Sequence, residues 1–146
     1  MKILIVWLLA LFTLPVLAAG APDNGAGPKY KVAYQCNKGE PEDYKSLLFS
    51  VSQLKEKYGD DVDIVVTCLG KGIHLLAKHP KRGVPESALE QMSYLDTFGV
   101  RFHACGNTMH ALGWTAKDMY DFVEVVPIGA DDLMQLQHQG YAYLAW

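Results

Sequence analysis

Positive charge is scarce in this chain: 13 Lys and Arg against 16 Asp and Glu leave a formal net charge of −3, and the cations gather into no basic patch. Without such a patch nothing is offered to a nucleic-acid backbone or an anionic lipid surface, which leaves a protein or a small molecule as the partner. A glycine-rich phosphate loop is also lacking. The stretch "CNKGEPED" after the first predicted strand does not have the spacing that cradles phosphates, which argues against a nucleotide cofactor. There is no internal repeat and no low-complexity tract. Cysteine is sparse and odd in number, with Cys36, Cys68 and Cys105 only.

Long hydrophobic runs are absent except at the start. "MKILIVWLLALFTLPVLAAG" has one lysine, a long uncharged apolar run, the helix breaker Pro15 and then small residues, the pattern of a secretory leader. Cleavage fits best after Ala18, making residues 1–18 a signal peptide and the expected compartment the periplasm; Ala19 or Ala21 could also serve. The run approaches the roughly 17 residues that span a bilayer at the short end, so the competing reading is an uncleaved anchor. Pro15 and the small residues favour cleavage, and no cysteine stands there to take a lipid. Loss of Lys2 leaves 12 cations against 16 anions, a net charge of about −4, with no membrane attachment. Residues 19–29 are rich in Gly, Pro and Ala and read as a flexible arm, so the domain proper spans 30–146. That length suits one domain with a real core and is too short for two.

Within it, strands and helices alternate. "YKVAYQC" (30–36) is β-prone and ends in a breaker cluster. Tyr44, Leu47, Leu48, Val51, Leu54 and Tyr58 then recur at helical spacing up to Gly59. "VDIVVTCL" (62–69) is a nearly continuous apolar run, as expected of a strand buried on both faces of a parallel sheet. "GKGIHLLAKH" predicts a turn and a short helix. "VPESALEQMSYLDTFG" predicts a helix with Pro85 near its first turn and Ala88, Leu89, Met92 and Leu95 inward. "VRFHAC" is a third strand leading into the helix "TMHAL". "TAKDMYDF", with a Thr115–Asp118 pair resembling a capping box, precedes strand "VEVVP", helix "GADDLMQLQHQ" and a last strand "YAYLAW". The fold class is α/β: a single Rossmann-like domain, a mainly parallel sheet of about five strands with helices on both faces.

Each cysteine falls at or near the carboxyl end of a predicted strand, the edge where ligands and reactive groups collect in open α/β sheets. With the first strand between the second and third, all three thiols would share one rim. Cys36 and Cys68 read equally well as small apolar core residues. In an oxidising compartment they are also the allowed disulfide pair, since neighbouring strands lie about 4.8 Å apart. Cys105 differs. It ends its strand, Gly106 gives space and backbone freedom beside it, and Asn107 is placed to cap the following helix. A thiol at a helix start has its thiolate favoured. Strand parity puts His103 and Arg101 on the same face, where either charge would support a thiolate, although residues two apart stand about 6–7 Å apart along the strand.

"ACGNT" between strand and helix, followed by "VEVVPIGADDLMQLQHQGYAYL" and preceded by the glycine-containing loop "GKGIHLL", resembles the DsrE/DsrF-like family over residues 30–146. The resemblance implies a small Rossmann-like subunit that assembles into homo-oligomers, trimers or hexamers. It further implies a sulfur carrier in sulfur-compound metabolism that holds a persulfide on one cysteine, here Cys105, with a sulfur donor or acceptor protein or a small sulfur compound as partner. Such a carrier uses no cofactor and no metal. Whether it turns over as a sulfurtransferase is left open, because a stoichiometric carrier and an enzyme need the same activated thiol. The chain departs from the family at Lys71, where the loop often has proline, at Cys36 and Cys68, and in its leader.

Two other classes compete. "HACGNTMH" supplies imidazole, thiolate and thioether within eight residues, a set acceptable to copper or zinc. On a strand running into a helix, however, these side chains point different ways: Met109 is expected in the core and His110 exposed, and His74 and His79 read as helix-surface residues. The third class is an oligomeric scaffold without catalysis, for which Tyr141 and Tyr143 on one face of the last strand, and Leu144 and Trp146 on the other, would suit subunit packing.

Overall fold

The computed structural model describes residues 27–146; the leader read at 1–18 and the arm as far as residue 26 lie outside them. Five strands, β1 (Tyr30–Cys36), β2 (Val62–Cys68), β3 (Arg101–Cys105), β4 (Val123–Val126) and β5 (Ala142–Ala145), form one parallel sheet. The connections carry α1 (Pro41–Tyr58), α2 (Glu86–Thr97), α3 (Gly106–Leu112) and α4 (Gly129–His138). Among the described residues no helix is long and apolar enough to cross a membrane.

Local chemistry sets the element ends. At the start of α1 the Asp43 carboxylate accepts the Glu40 N–H at 3.2 Å and Pro41 occupies the first turn, where its missing N–H costs nothing. Gly59, at φ +54°, stops the same helix. Where a turn and a short helix are expected, Gly70–Leu76 is a 3-10 turn, and the Thr115–Asp118 capping box is present and closes a 3-10 turn over Ala116–Asp118.

The strand order is β4-β3-β2-β1-β5, which corrects the expected placement of β1 between β2 and β3. From β1 to β4 each crossover steps the same way across the sheet, and right-handedness stacks α1, α2 and α3 on one face. From β4 the chain returns to the far edge, and the same handedness sends α4 across the opposite face.

Two cores result. The larger joins Tyr34, Ile64, Val66 and Phe102 to Leu47, Leu48 and Val51 of α1, Met92 and Leu95 of α2, and Met109 of α3. The smaller joins Ala33 and Val65 to Leu133 and Leu136 of α4 and to Tyr141. Each fully buried Leu, Val or Met contributes about 1.5–3 kcal/mol by leaving water, so the larger core dominates stability. Strand parity is obeyed throughout, which is why β2 reads as one apolar run: Ile64, Val66 and Cys68 face one core and Val65 faces the other. Leu89, expected inward, is 36 % exposed. The inward stripe of α2 is narrower than its sequence, occupied by Ala88, Met92 and Leu95 alone. His74, read as a surface residue, is buried: Trp114 packs against its ring and its Nδ1 accepts the Lys81 N–H at 3.1 Å. His79 is exposed, as expected.

Candidate functional site

The cysteines divide between the two faces. Cys36 and Cys68 are register partners on adjacent strands, and with Ala104 beside Cys68 on β3 they face the larger core. Cys105, one residue beyond Ala104, faces α4. The three thiols therefore do not share one environment, because parity turns neighbouring side chains of β3 to opposite faces. All three are free thiols. Cys36 and Cys68 stand opposite one another as the disulfide reading required. Burial, and after it the adjacent Cys36 thiol, push Cys68 well above the ordinary thiol range.

Cys105 is 5 % exposed and is itself the N-cap of α3. This corrects the capping role expected of Asn107, which lies inside the first turn with its N–H donated to Pro127 O at 3.2 Å. The Gly129 N–H, at the start of α4, donates to Cys105 Sγ at 3.2 Å. Burial pushes the thiol pKa up. The Thr108 hydroxyl, the Gly129 N–H and the backbone N–H groups of Thr108 and Asn107 outweigh that, and the thiol is held below its ordinary value. Two helix starts thus converge on one sulfur, through donors that gain strength when the acceptor becomes an anion.

Gly106 does not leave an approach open as expected. A Cβ there would lie 3.1 Å from both the Val126 and the Pro127 carbonyl oxygens, so the absent side chain is filled by the backbone leaving β4. Room at the sulfur comes instead from Gly129, where a Cβ would stand 3.4 Å from Sγ and 3.0 Å from Cys105 Cβ.

His103 and Arg101 share the Cys105 face, yet each is engaged elsewhere. Arg101 binds the Asp63 carboxylate at 3.0 and 3.1 Å and meets the Tyr141 hydroxyl at 2.8 Å. His103 Nδ1 bonds Asp132 at 3.0 and 3.1 Å, and Asp132 also accepts the Thr67 hydroxyl at 2.6 Å. Of the groups that act on the sulfur, Gly129 was missed because its role depends on α4 returning across the sheet, and Thr108, three residues on in the first turn of α3, because the sequence points to Asn107 as the cap. The signal available was the position of Gly129 at a helix start after a strand. The metal set does not converge: Met109 is in the core, His110 is exposed, and His103 is turned to Asp132. Among the described residues no group of three or more His, Cys, Asp or Glu is placed to hold a metal ion.

Two open clefts flank the Gly70–Lys71 turn at this edge. One, of about 610 Å³, is lined in part by Asn37, Lys38, Leu69 and Lys71. The other, of about 290 Å³, is lined in part by Lys71, His74, Arg82 and Thr108. Thr108 connects the second to the thiol, since its Oγ1 accepts the Gly70 N–H at 3.2 Å while its hydroxyl serves Cys105.

The family model for the DsrE/DsrF-like family matches residues 31–146. The structure is similar to MTH1491, a protein of unknown function from Methanobacterium thermoautotrophicum, at 26 % identity and a TM-score of 0.72, over 80 % of this chain and 99 % of that one. It is similar in fold to the YchN protein of E. coli at 16 % identity and a TM-score of 0.68, again over 80 % and 99 %. Comparison with curated proteins gives no match.

Proposed function

The chain belongs to the DsrE/DsrF-like family, and on that footing we propose that it is an exported sulfur carrier holding a terminal sulfur as a persulfide on Cys105. The observation that carries this reading is the Cys105 sulfur, almost buried, set between the starts of α3 and α4 and held below the ordinary thiol pKa. Transfer needs both properties of that sulfur. On loading, the Cys105 thiolate attacks the sulfane sulfur of a donor, a new S–S bond forms, and the donor's old bond to that sulfur breaks with its electron pair leaving on the donor. On delivery, the thiolate of an acceptor attacks the terminal sulfur and Cys105 departs as thiolate. A thiol of lowered pKa presents more of its thiolate as nucleophile at a given pH than an ordinary thiol does, and it leaves more readily. The sulfane sulfur changes owner without net oxidation or reduction, so no metal or organic cofactor enters.

The leader pattern at residues 1–18 supports a periplasmic location, where donor and acceptor are a small sulfur compound or another exported protein. Assembly into a homo-oligomer is supported by large apolar side chains left exposed around α4 and the two edge strands: Val125, Ile128, Met134, Tyr143 and Leu144. The test is to incubate the reduced protein with polysulfide and map adducts by mass spectrometry in the parent and in single Cys→Ser variants. Cys105→Ser is expected to abolish the adduct while Cys36→Ser and Cys68→Ser retain it. Sulfur taken up by Cys105→Ser would overturn the reading.

A further inference from the structure

We propose that Asp132 is a positioning residue for Cys105: tied to Thr67 of β2 and His103 of β3, it fixes the first turn of α4 and so keeps the Gly129 N–H on the Cys105 sulfur. Among the described helices α4 alone covers its face of the sheet, and its apolar footing is the small cluster of Ala33, Val65, Leu133, Leu136 and Tyr141. Apolar contact is non-directional and tolerates sliding. Hydrogen bonds from buried donors to a partly buried carboxylate do not. Asp132 accepts the Thr67 hydroxyl at 2.6 Å and faces His103 Nδ1 at 3.0 and 3.1 Å, and Thr67 and His103 are 0 % and 4 % exposed.

Because the bonds reach two different strands, the clamp sets the helix both along the sheet and across it. Asp132 and Gly129 lie in the same turn, closed by the Asp132 N–H donating to Ile128 O at 3.0 Å. Three residues at 1.5 Å rise separate the clamp from the sulfur's donor by about 4.5 Å along the helix, too short a lever to absorb a displacement. Burial pushes the Asp132 pKa up, but the His103 and Thr67 hydrogen bonds and the His103 and Arg101 charges outweigh it and keep the group a carboxylate. An acceptor-only Asp132 requires His103 to carry a proton on Nδ1. Its Nε2 is buried without a hydrogen-bond partner, 3.5 Å from the exposed Glu124 carboxylate. The ring thus lies between two acidic groups and is not aimed at Cys105, which makes it a brace for α4 rather than a base for the thiol.

The inference rests on the sulfur-carrier reading only for what the thiol is used for. The experiment addresses the thiol itself, so the two can fail separately. The full chain, with Asp132→Ala and Thr67→Val, is treated with iodoacetamide across pH, and alkylation of the Cys105 peptide is followed by mass spectrometry. The parent is expected to reach half its limiting rate below the ordinary thiol value. Both variants should move that midpoint upward, slowing the reaction at neutral pH by about tenfold for every pH unit the midpoint rises, with the limiting rate at high pH no lower than in the parent. Midpoints superimposed on the parent's, whatever happens to thermal stability, would overturn the proposal and leave Asp132 a purely structural residue. So would a parent midpoint at the ordinary value, or a change confined to the limiting rate.

Discussion

Replacing Gly72 by alanine asks for space the fold does not have. A Cβ at this position would lie 2.1 Å from the Cys36 carbonyl oxygen, 2.5 Å from the carbonyl carbon and 2.8 Å from Cys36 Sγ. Ordinary contact begins beyond 3.4 Å, so the backbone of the 3-10 turn and the end of β1 must separate by more than 1 Å. Neither side yields easily. Cys36 is hydrogen-bonded into β1 and its carbonyl accepts the Leu69 N–H at 3.0 Å, while Ile73, Leu75 and Leu76 beyond the glycine are fully buried. Overpacking against backbone costs about 2–4 kcal/mol at the upper end of its range. With an unfolding entropy of about 2.1 cal/mol/K per residue over the 120 described residues, from 27 to 146, the loss corresponds to a fall in Tm of roughly 8–16 °C. Calorimetry or thermal circular dichroism reads it directly. Gly83→Ala is the control, since its nearest neighbour would be Pro41 Cγ at 3.8 Å, and it should leave Tm within about 2 °C. A Gly72→Ala protein as stable as that control would refute the reasoning that close backbone approach fixes this glycine and the turn that carries Lys71.

Thr108→Val removes the hydroxyl that favours the thiolate, so the ultraviolet thiolate absorbance of Cys105 should titrate at higher pH than in the parent; an unchanged titration would count against Thr108. The parent thiol's folded pKa is depressed, so its contribution to stability is complete above the unfolded thiol value, about 8.5, and is lost as pH falls through the folded value. The urea midpoint of the parent should therefore gain on that of Cys105→Ser between pH 7 and pH 9, and a constant gap would contradict the lowered thiol value. Amino-terminal sequencing of the periplasmic protein is expected to begin between Ala19 and Pro22; intact Met1 in the membrane fraction would overturn export. Light scattering at micromolar concentration should give a trimer or larger, and a clean monomer would remove the homo-oligomer.

By itself the sequence determined what depends on near neighbours along the chain. The alternation of strands and helices, the inward stripe of α1, the apolar run of β2 and the shared face of Arg101, His103 and Cys105 all follow from periods of 3.6 and 2, which are properties of the backbone. So does the singling out of Cys105, since a cysteine between strand end and helix start is visible in "ACGNT". Tertiary structure decided what depends on residues far apart. Only the return of α4 across the sheet brings Gly129 to a sulfur 24 residues earlier, and Asp132 to Thr67, 65 residues away. The strand order put β2, not β1, at the centre, and with it Cys68 rather than Cys36. It also closed the space beside Gly106 with the Val126 and Pro127 carbonyls, and buried His74 against Trp114. Periodicity states which face a side chain takes; what waits on that face is set by crossover handedness and packing, which no local pattern records.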